Sequence, residues 1–287
     1  MWSSTLVCME TGKASKTALR VAMRRAVHQV MDQPCVLTDP IAVRLLGSQF
    51  VLDEARERHP IARAFRAFMA ARSRYAEDQL AKAVASGVRQ YVVLGAGLDT
   101  FAYRNPYPHL RVFEVDFPAT QEGKKALFAD AAIAVPEGLT LVPLDFEHRT
   151  LAAGLAESGF DATTPAFFGW LGVVPYLTRE AFRSTLEVIG EQAAGSGVCF
   201  DYALAPESLS TSRRVAFDAL AARVAAAGEP FQLFFMPDVL EAELRWAGFH
   251  TIVQVDSEQL NDLYFRGRAD GLHLPPEGLG RVAAAWL

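Results

Sequence analysis

Short runs in which nearly every residue is apolar recur along this chain, separated by longer stretches in which apolar residues return every third or fourth position. Short continuous runs read as strands buried on both faces, and the periodic stretches as amphipathic helices. Strands are expected at 91–94, 110–115, 140–144, from Pro165 into the run AFFGWLGVVPYL, and at 197–202, 250–256 and 281–287. Helices are expected over 13–33 with Pro34 at its end, in a block from Glu54 to Ser86 that stops near Gly87, and from Pro118 to about Asp130. Further helices begin near Arg149, after Thr178 as a cap, within a mostly helical 206–236 segment, and at Pro237. This alternation predicts an α/β fold with a mostly parallel sheet whose last strand, 281–287, is antiparallel.

With 287 residues, 51% of them hydrophobic, the chain can bury a substantial core as one domain. No repeat or low-complexity linker divides it. A net charge of −5 without a long Lys/Arg stripe argues against nucleic acid as a partner. The first residues, MWSSTLVCMETGKASK, lack the uninterrupted apolar stretch of a signal peptide, and the most apolar later run is too short to span a membrane. A cytoplasmic protein with no membrane partner is expected. Three cysteines without a CxxC pair, and six scattered histidines, give no metal-ligand spacing.

Candidate chemistry concentrates in residues 89–116, RQYVVLGAGLDTFAYRNPYPHLRVFEVD. The first strand breaks at Gly95-Ala96-Gly97, and the second ends at Asp116, 21 positions after Gly95. An acid at the tip of the second strand of a βαβ unit, about 20 residues past a glycine turn, reaches the ribose hydroxyls of a nucleotide. Glu114, two positions earlier, joins the candidate set. The turn continues Leu98-Asp99-Thr100, whereas a dinucleotide site would carry a third small residue at 100 and no charge facing the pyrophosphate. A carboxylate at 99 repels phosphates but suits S-adenosylmethionine, whose ammonium and sulfonium are positive. A tight connection without a ligand is the other reading of Gly-Ala-Gly.

The segments GAGLDT, AYR and FEVDFP, with RSRY upstream and VPLDFE downstream, resemble the leucine carboxyl methyltransferase family. The resemblance is closest to its bacterial branch, which includes proteins regarded as polyketide O-methyltransferases. It implies a class I methyltransferase (Rossmann-like) fold: a seven-stranded, mostly parallel sheet, a helical cap at about 13–86 and a lid insertion at about 206–236. Thr17-Ala18, Arg25-Ala26 and Asp39-Pro40 match the family's opening pattern, while the Lys and Arg residues of 13–33, taken alone, read as a solvated face, with anion ligands as the alternative.

By the same resemblance Arg72 meets the methionine carboxylate of S-adenosylmethionine, a task that suits a bidentate guanidinium. Arg74 reads as a surface charge. Asp145 and Phe146 are implied to bracket the adenine, with a helix-capping role for Asp145 as the alternative. The family's Glu-Gly pair is Leu171-Gly172 here, so the carboxylate it places in the cofactor site is missing, and Asp99 or main-chain carbonyls are left to meet the ammonium. The acceptor is expected to be an oxygen, carboxylate or hydroxyl, of a small molecule, polyketide-like compounds among them, or of a peptide. Tyr176, Asp201 and His148 are the candidate bases should one be needed. A nicotinamide-dependent dehydrogenase and a non-catalytic binding protein are the rival readings.

Overall fold

The computed structural model describes residues 16–47, 50–145, 148–226, 228 and 230–287. Eight strands form one sheet: β1 (Gln90–Leu94), β2 (Arg111–Asp116), β3 (Leu139–Pro143), β4 (Ala166–Trp170), β5 (Gly197–Leu204), the two-residue β6 (Phe234–Phe235), β7 (Thr251–Val255) and β8 (Gly280–Trp286). Their order is β3-β2-β1-β4-β5-β8-β7, with β6 against the end of β5. Strands β1 to β6 pair in parallel, while β8 enters between β5 and β7 antiparallel to both. Every residue of β1 and β4 is buried, which explains why these central strands read as unbroken apolar runs.

Helices α1 (Lys16–Met31), α2 (Pro40–Leu46), α3 (Glu54–Glu57) and α4 (Pro60–Ala85) precede the sheet. The expected helical block beginning at Glu54 is therefore two elements. His59 is extended and Pro60 opens the longer one at its first turn, where the missing N–H costs nothing. Between the strands run α5 (Pro118–Asp130), α6 (Leu151–Glu157), α7 (Arg179–Gly190), α8 (Thr211–Ala226), α9 (Pro237–Trp246) and α10 (Ser257–Tyr264). Thr150 rather than Asp145 caps α6, and Thr178 caps α7 as expected. The short α10 escaped the periodicity; Asp256 and Gln259 start it with a reciprocal capping box.

Two apolar layers cover the sheet. One packs α4 and α10 against Tyr91, Val93, Val112, Phe167, Cys199 and Val282. The other packs α6, α7 and α9 against Val92, Phe113, Phe168, Phe200 and Ala283. A third cluster joins α1 and α2 to Leu98 and to Phe128 of α5, carrying the first helices across the carboxyl ends of β1 and β2. Phe231 and Phe234 pack with Phe217 of α8, while Phe235, expected in an exposed-looking aromatic group, is buried in the second layer.

Candidate cofactor site

Between β1 and β2 a full helix gives way to a single 3-10 turn, Phe101–Arg104. Pro106 and Pro108 follow closely in a loop that reaches β2, so no longer helix has room to form. The glycine turn is consequently held by β2 itself. Gly95 N and Ala96 N donate to Val115 O at 2.9 and 3.1 Å. Gly97 N donates to Asp116 Oδ2 at 2.6 Å and Phe117 N to Asp116 Oδ1 at 2.7 Å. Gly95 and Gly97 both have positive φ, at +64° and +49°, the region where glycine carries no steric penalty. A Cβ at Gly95 would overlap the side chain of Val173, and one at Gly97 would stand 3.1 Å from Ala18 Cβ. The segment after β4 and helix α1 thus both close on this turn.

An ionised carboxylate offers about four acceptor positions, so Asp116, which serves Gly97 N, Phe117 N and the Thr120 side chain, keeps about one for a ribose hydroxyl. Burial raises its pKa despite the hydrogen bonds from Gly97 and Phe117 that oppose the rise. The adjoining strand end contributes Asp145: Leu144 N donates to Asp116 O at 2.9 Å, which brings half-buried Asp145 beside the tip of β2. Asp145 also pairs with exposed His148 at 2.9 Å. Phe146, expected beside the adenine, lies outside the described residues.

Two of the expected cofactor acids have other partners. Glu114 is fully buried in an ion pair with Lys124 of α5 at 2.6 Å, beneath Asp116 and not beside it. Burial pushes its pKa up to about 7, with Lys124 acting against that rise. Asp99 receives Arg25 Nη1 at 3.0 Å and the N–H of Phe101 at 2.7 Å. Burial would raise its pKa, but the charges of Arg25, Lys124 and Arg104 prevail and hold it below the ordinary carboxylate value. The charge at 99 is thereby paired with Arg25, while its side chain stays 24% exposed.

Arg25 also donates to Thr100 Oγ1 and pairs with Asp39, each at 2.7 Å. Thr100 in turn donates to Asp39 at 2.7 Å, and Arg104 pairs with Glu77. This network fastens α1 and α2 to the glycine turn, and the expectation of a solvated basic face on α1 fails at its centre. A signal for it was present: Arg25 follows Ala22 by three positions and precedes Ala26 by one, on the stripe that is buried.

Arg72 lies buried on α4 and donates from Nη1 to Asp201 Oδ2 at 2.7 Å. Asp201 Oδ1 accepts from Gly172 N at 2.6 Å. Arg72 Nε is buried without a partner among the described residues. Arg74 is exposed and pairs with Asp78. Leu171 is half-buried against the α4 layer, and Tyr176 packs its ring at 5.3 Å from Phe231. Past β5, a cavity of about 1190 Å3 is lined by Leu204, Leu209, Met236, Leu274, Arg213 and Arg281 among others.

The glycine turn and the acids at the tips of β2 and β3 lie together, and Arg72 is linked to them through Asp201, Gly172 and Val173. Comparison with known proteins decides the family, since the leucine carboxyl methyltransferase family matches the chain over residues 18–190. The chain belongs to this family. Membership brings with it the methyltransferase class and S-adenosylmethionine as methyl donor. A relative from Bacillus subtilis, named "Putative S-adenosyl-L-methionine-dependent methyltransferase YktD", is 33% identical over 92% of this chain and 95% of its own. Two crystal structures share the class I methyltransferase fold at 16% identity and a TM-score of 0.56. One, a DUF574 family protein from Streptomyces avermitilis, aligns over 98% of this chain and 99% of its own. The other, described as "a putative methyltransferase from Thermobifida fusca", aligns over 96% of this chain and 95% of its own. Among the described residues no helix is long and apolar enough to cross a membrane, and no group of three or more His, Cys, Asp or Glu is placed to hold a metal ion.

Proposed function

We propose that this family member transfers the methyl group of S-adenosylmethionine to an oxygen of a small-molecule acceptor, and that the oxygen is a carboxylate. Gly95, Ala96, Gly97 and Asp116 would hold the ribose side, Asp145 the adenine and Arg72 the amino-acid carboxylate. The fit rests on the acceptor capacity left on Asp116 and on the buried guanidinium of Arg72, which makes one hydrogen bond among the described residues. When bound, the cofactor supplies a methyl carbon activated by a sulfonium. The protein then has to align an acceptor oxygen with that carbon and exclude water. Helices α1 to α4 serve as the cap, and α8 with its flanking segments as the lid. Gln232 and Leu233 N–H groups donate to Pro175 O at 2.7 and 3.2 Å, tying the lid's return to the segment after β4. The acceptor enters by the cavity past β5. A Cβ on Gly280, beside that cavity, would lie 3.4 Å from Phe68, one helical turn before Arg72 on α4.

The observation that favours a carboxylate acceptor is the engagement of both oxygens of Asp201 by Arg72 and Gly172. His148 is on the surface with Asp145, and Tyr176 is packed on Phe231. A carboxylic acid with a pKa near ~4 is already ionised at neutral pH and asks for no base, whereas a phenol near ~10 must lose its proton first. With a panel of small carboxylic acids as acceptors, the product should be a methyl ester cleaved by mild alkali. The rate of the chemical step should be nearly flat from about pH 6 to 9. A rate that climbs through that range with an alkali-stable methyl ether would transfer the assignment to hydroxyl groups, with Tyr176, Asp201 and His148 as the bases to test.

A further inference from the structure

The amino-acid end of S-adenosylmethionine carries a carboxylate and an ammonium on one carbon. A buried site for it therefore needs a cation and an anion side by side, because each unpaired charge would be costly there. The carboxylates around the glycine turn do not supply that anion. Asp99 pairs with Arg25 of α1 and not with Arg72, Glu114 is sealed against Lys124, and Asp116 is tied to Gly97 and Phe117 at the ribose end. Position 171, where the resemblance implies a glutamate, is an apolar leucine.

Asp201 sits on the next strand, level with that leucine. The β4–β5 register pairs Trp170 with Phe200, so the chain one step further sets Leu171 beside Asp201. Its side chain is buried against Arg72 at 2.7 Å. The pair is continuous with the glycine turn: Gly172 N donates to Asp201, and the adjoining Val173 packs over Gly95. Gly172 has φ +72°, and a Cβ there would come within 2.9 Å of Arg72 Nη2, so the missing side chain leaves the guanidinium its seat. Asp201 accepts one hydrogen bond at each oxygen, which leaves an acceptor position on each for an ammonium.

We propose that Asp201 and Arg72 form one clamp for the zwitterionic end of the cofactor, Asp201 accepting from the α-ammonium and so supplying from β5 the charge that Leu171 does not. The proposal rests on the reading of this site as an S-adenosylmethionine site. It makes Asp201 a cofactor ligand and not a base.

Calorimetric titration with S-adenosylhomocysteine, its deaminated analogue and its decarboxylated analogue tests it. Wild type should bind S-adenosylhomocysteine about tenfold or more tightly than the deaminated analogue. In Asp201→Asn that ratio should fall towards one through loss of the parent ligand alone, while discrimination against the decarboxylated analogue persists. In Arg72→Gln the pattern should reverse. Asp201→Glu, which keeps the charge but moves it by one methylene, supplies the same ratio should the asparagine variant not fold. An unchanged ratio in whichever Asp201 variant folds, or equal losses for all three ligands, overturns the ammonium role. Wild type that binds none of the three ligands overturns the underlying cofactor reading instead.

Discussion

Two buried arginines flank the glycine turn, and they are used differently. Arg25, from α1, has both terminal nitrogens committed to Asp99, Thr100 and Asp39 in a network that includes Arg104 and Glu77. Arg72, from α4, makes one hydrogen bond, to Asp201, among the described residues. The first is a fastener: its acids belong to the glycine turn and to the start of α2, and its effect is to seat the cap helices on the turn. The second, on the proposed reading, keeps donors for the cofactor's carboxylate. Similar burial at 5% and 6% exposure therefore does not mean a similar role; on the proposed reading, the number of committed terminal donors separates structure from binding.

Removing each arginine should make that separation visible. Arg25→Ala leaves Asp39, which has no exposed surface, without its main cation, and breaking a buried pair of this kind costs roughly 3–5 kcal/mol. Urea denaturation should show that loss, and it should be larger than for Arg72→Ala, where Gly172 N still serves Asp201. Equal destabilisation by the two substitutions would erase the distinction.

A smaller effect concerns the layer beneath the site. Glu114 binds a proton more tightly in the folded protein, with a pKa of about 7, than its ordinary value of 4.5 allows once unfolded. In that window the native state holds more protons than the unfolded chain. Its contribution to stability is therefore present below pH 4.5 and is lost as pH rises towards 7, at no more than about 1.4 kcal/mol per pH unit. Glu114→Gln should flatten the stability profile between those limits. A profile identical to wild type would mean that Glu114 is ionised throughout, held so by Lys124.

Much of the frame could be read from the sequence because strands buried on both faces leave continuous apolar runs. The seven main strands, the antiparallel β8 among them, appear close to their expected positions, and α5 was expected over the residues it occupies. The 3-10 turn after Gly97 was less legible, since the residues of a glycine turn are compatible with either a helix start or a loop. The candidate site could be drawn from the sequence where it is local: Gly95, Ala96, Gly97 and Asp116 lie within one strand-turn-strand unit. The Arg72–Asp201 pair is not local, being separated by 129 positions, and no periodicity connects its members. Arg25 was concealed for another reason: a charge on a helix usually faces water, and only its place on the alanine stripe contradicted that rule.

The central claim is that the turn and the acid at the tip of β2 form the seat of S-adenosylmethionine. Titration calorimetry of S-adenosylmethionine into wild type and Asp116→Ala tests it most directly. Charge-assisted hydrogen bonds to a ribose are worth roughly 1.5–3 kcal/mol, so the variant should bind about tenfold or more weakly while wild type binds one molecule per chain. Equal affinity in the two proteins, or no binding by wild type, would contradict the account.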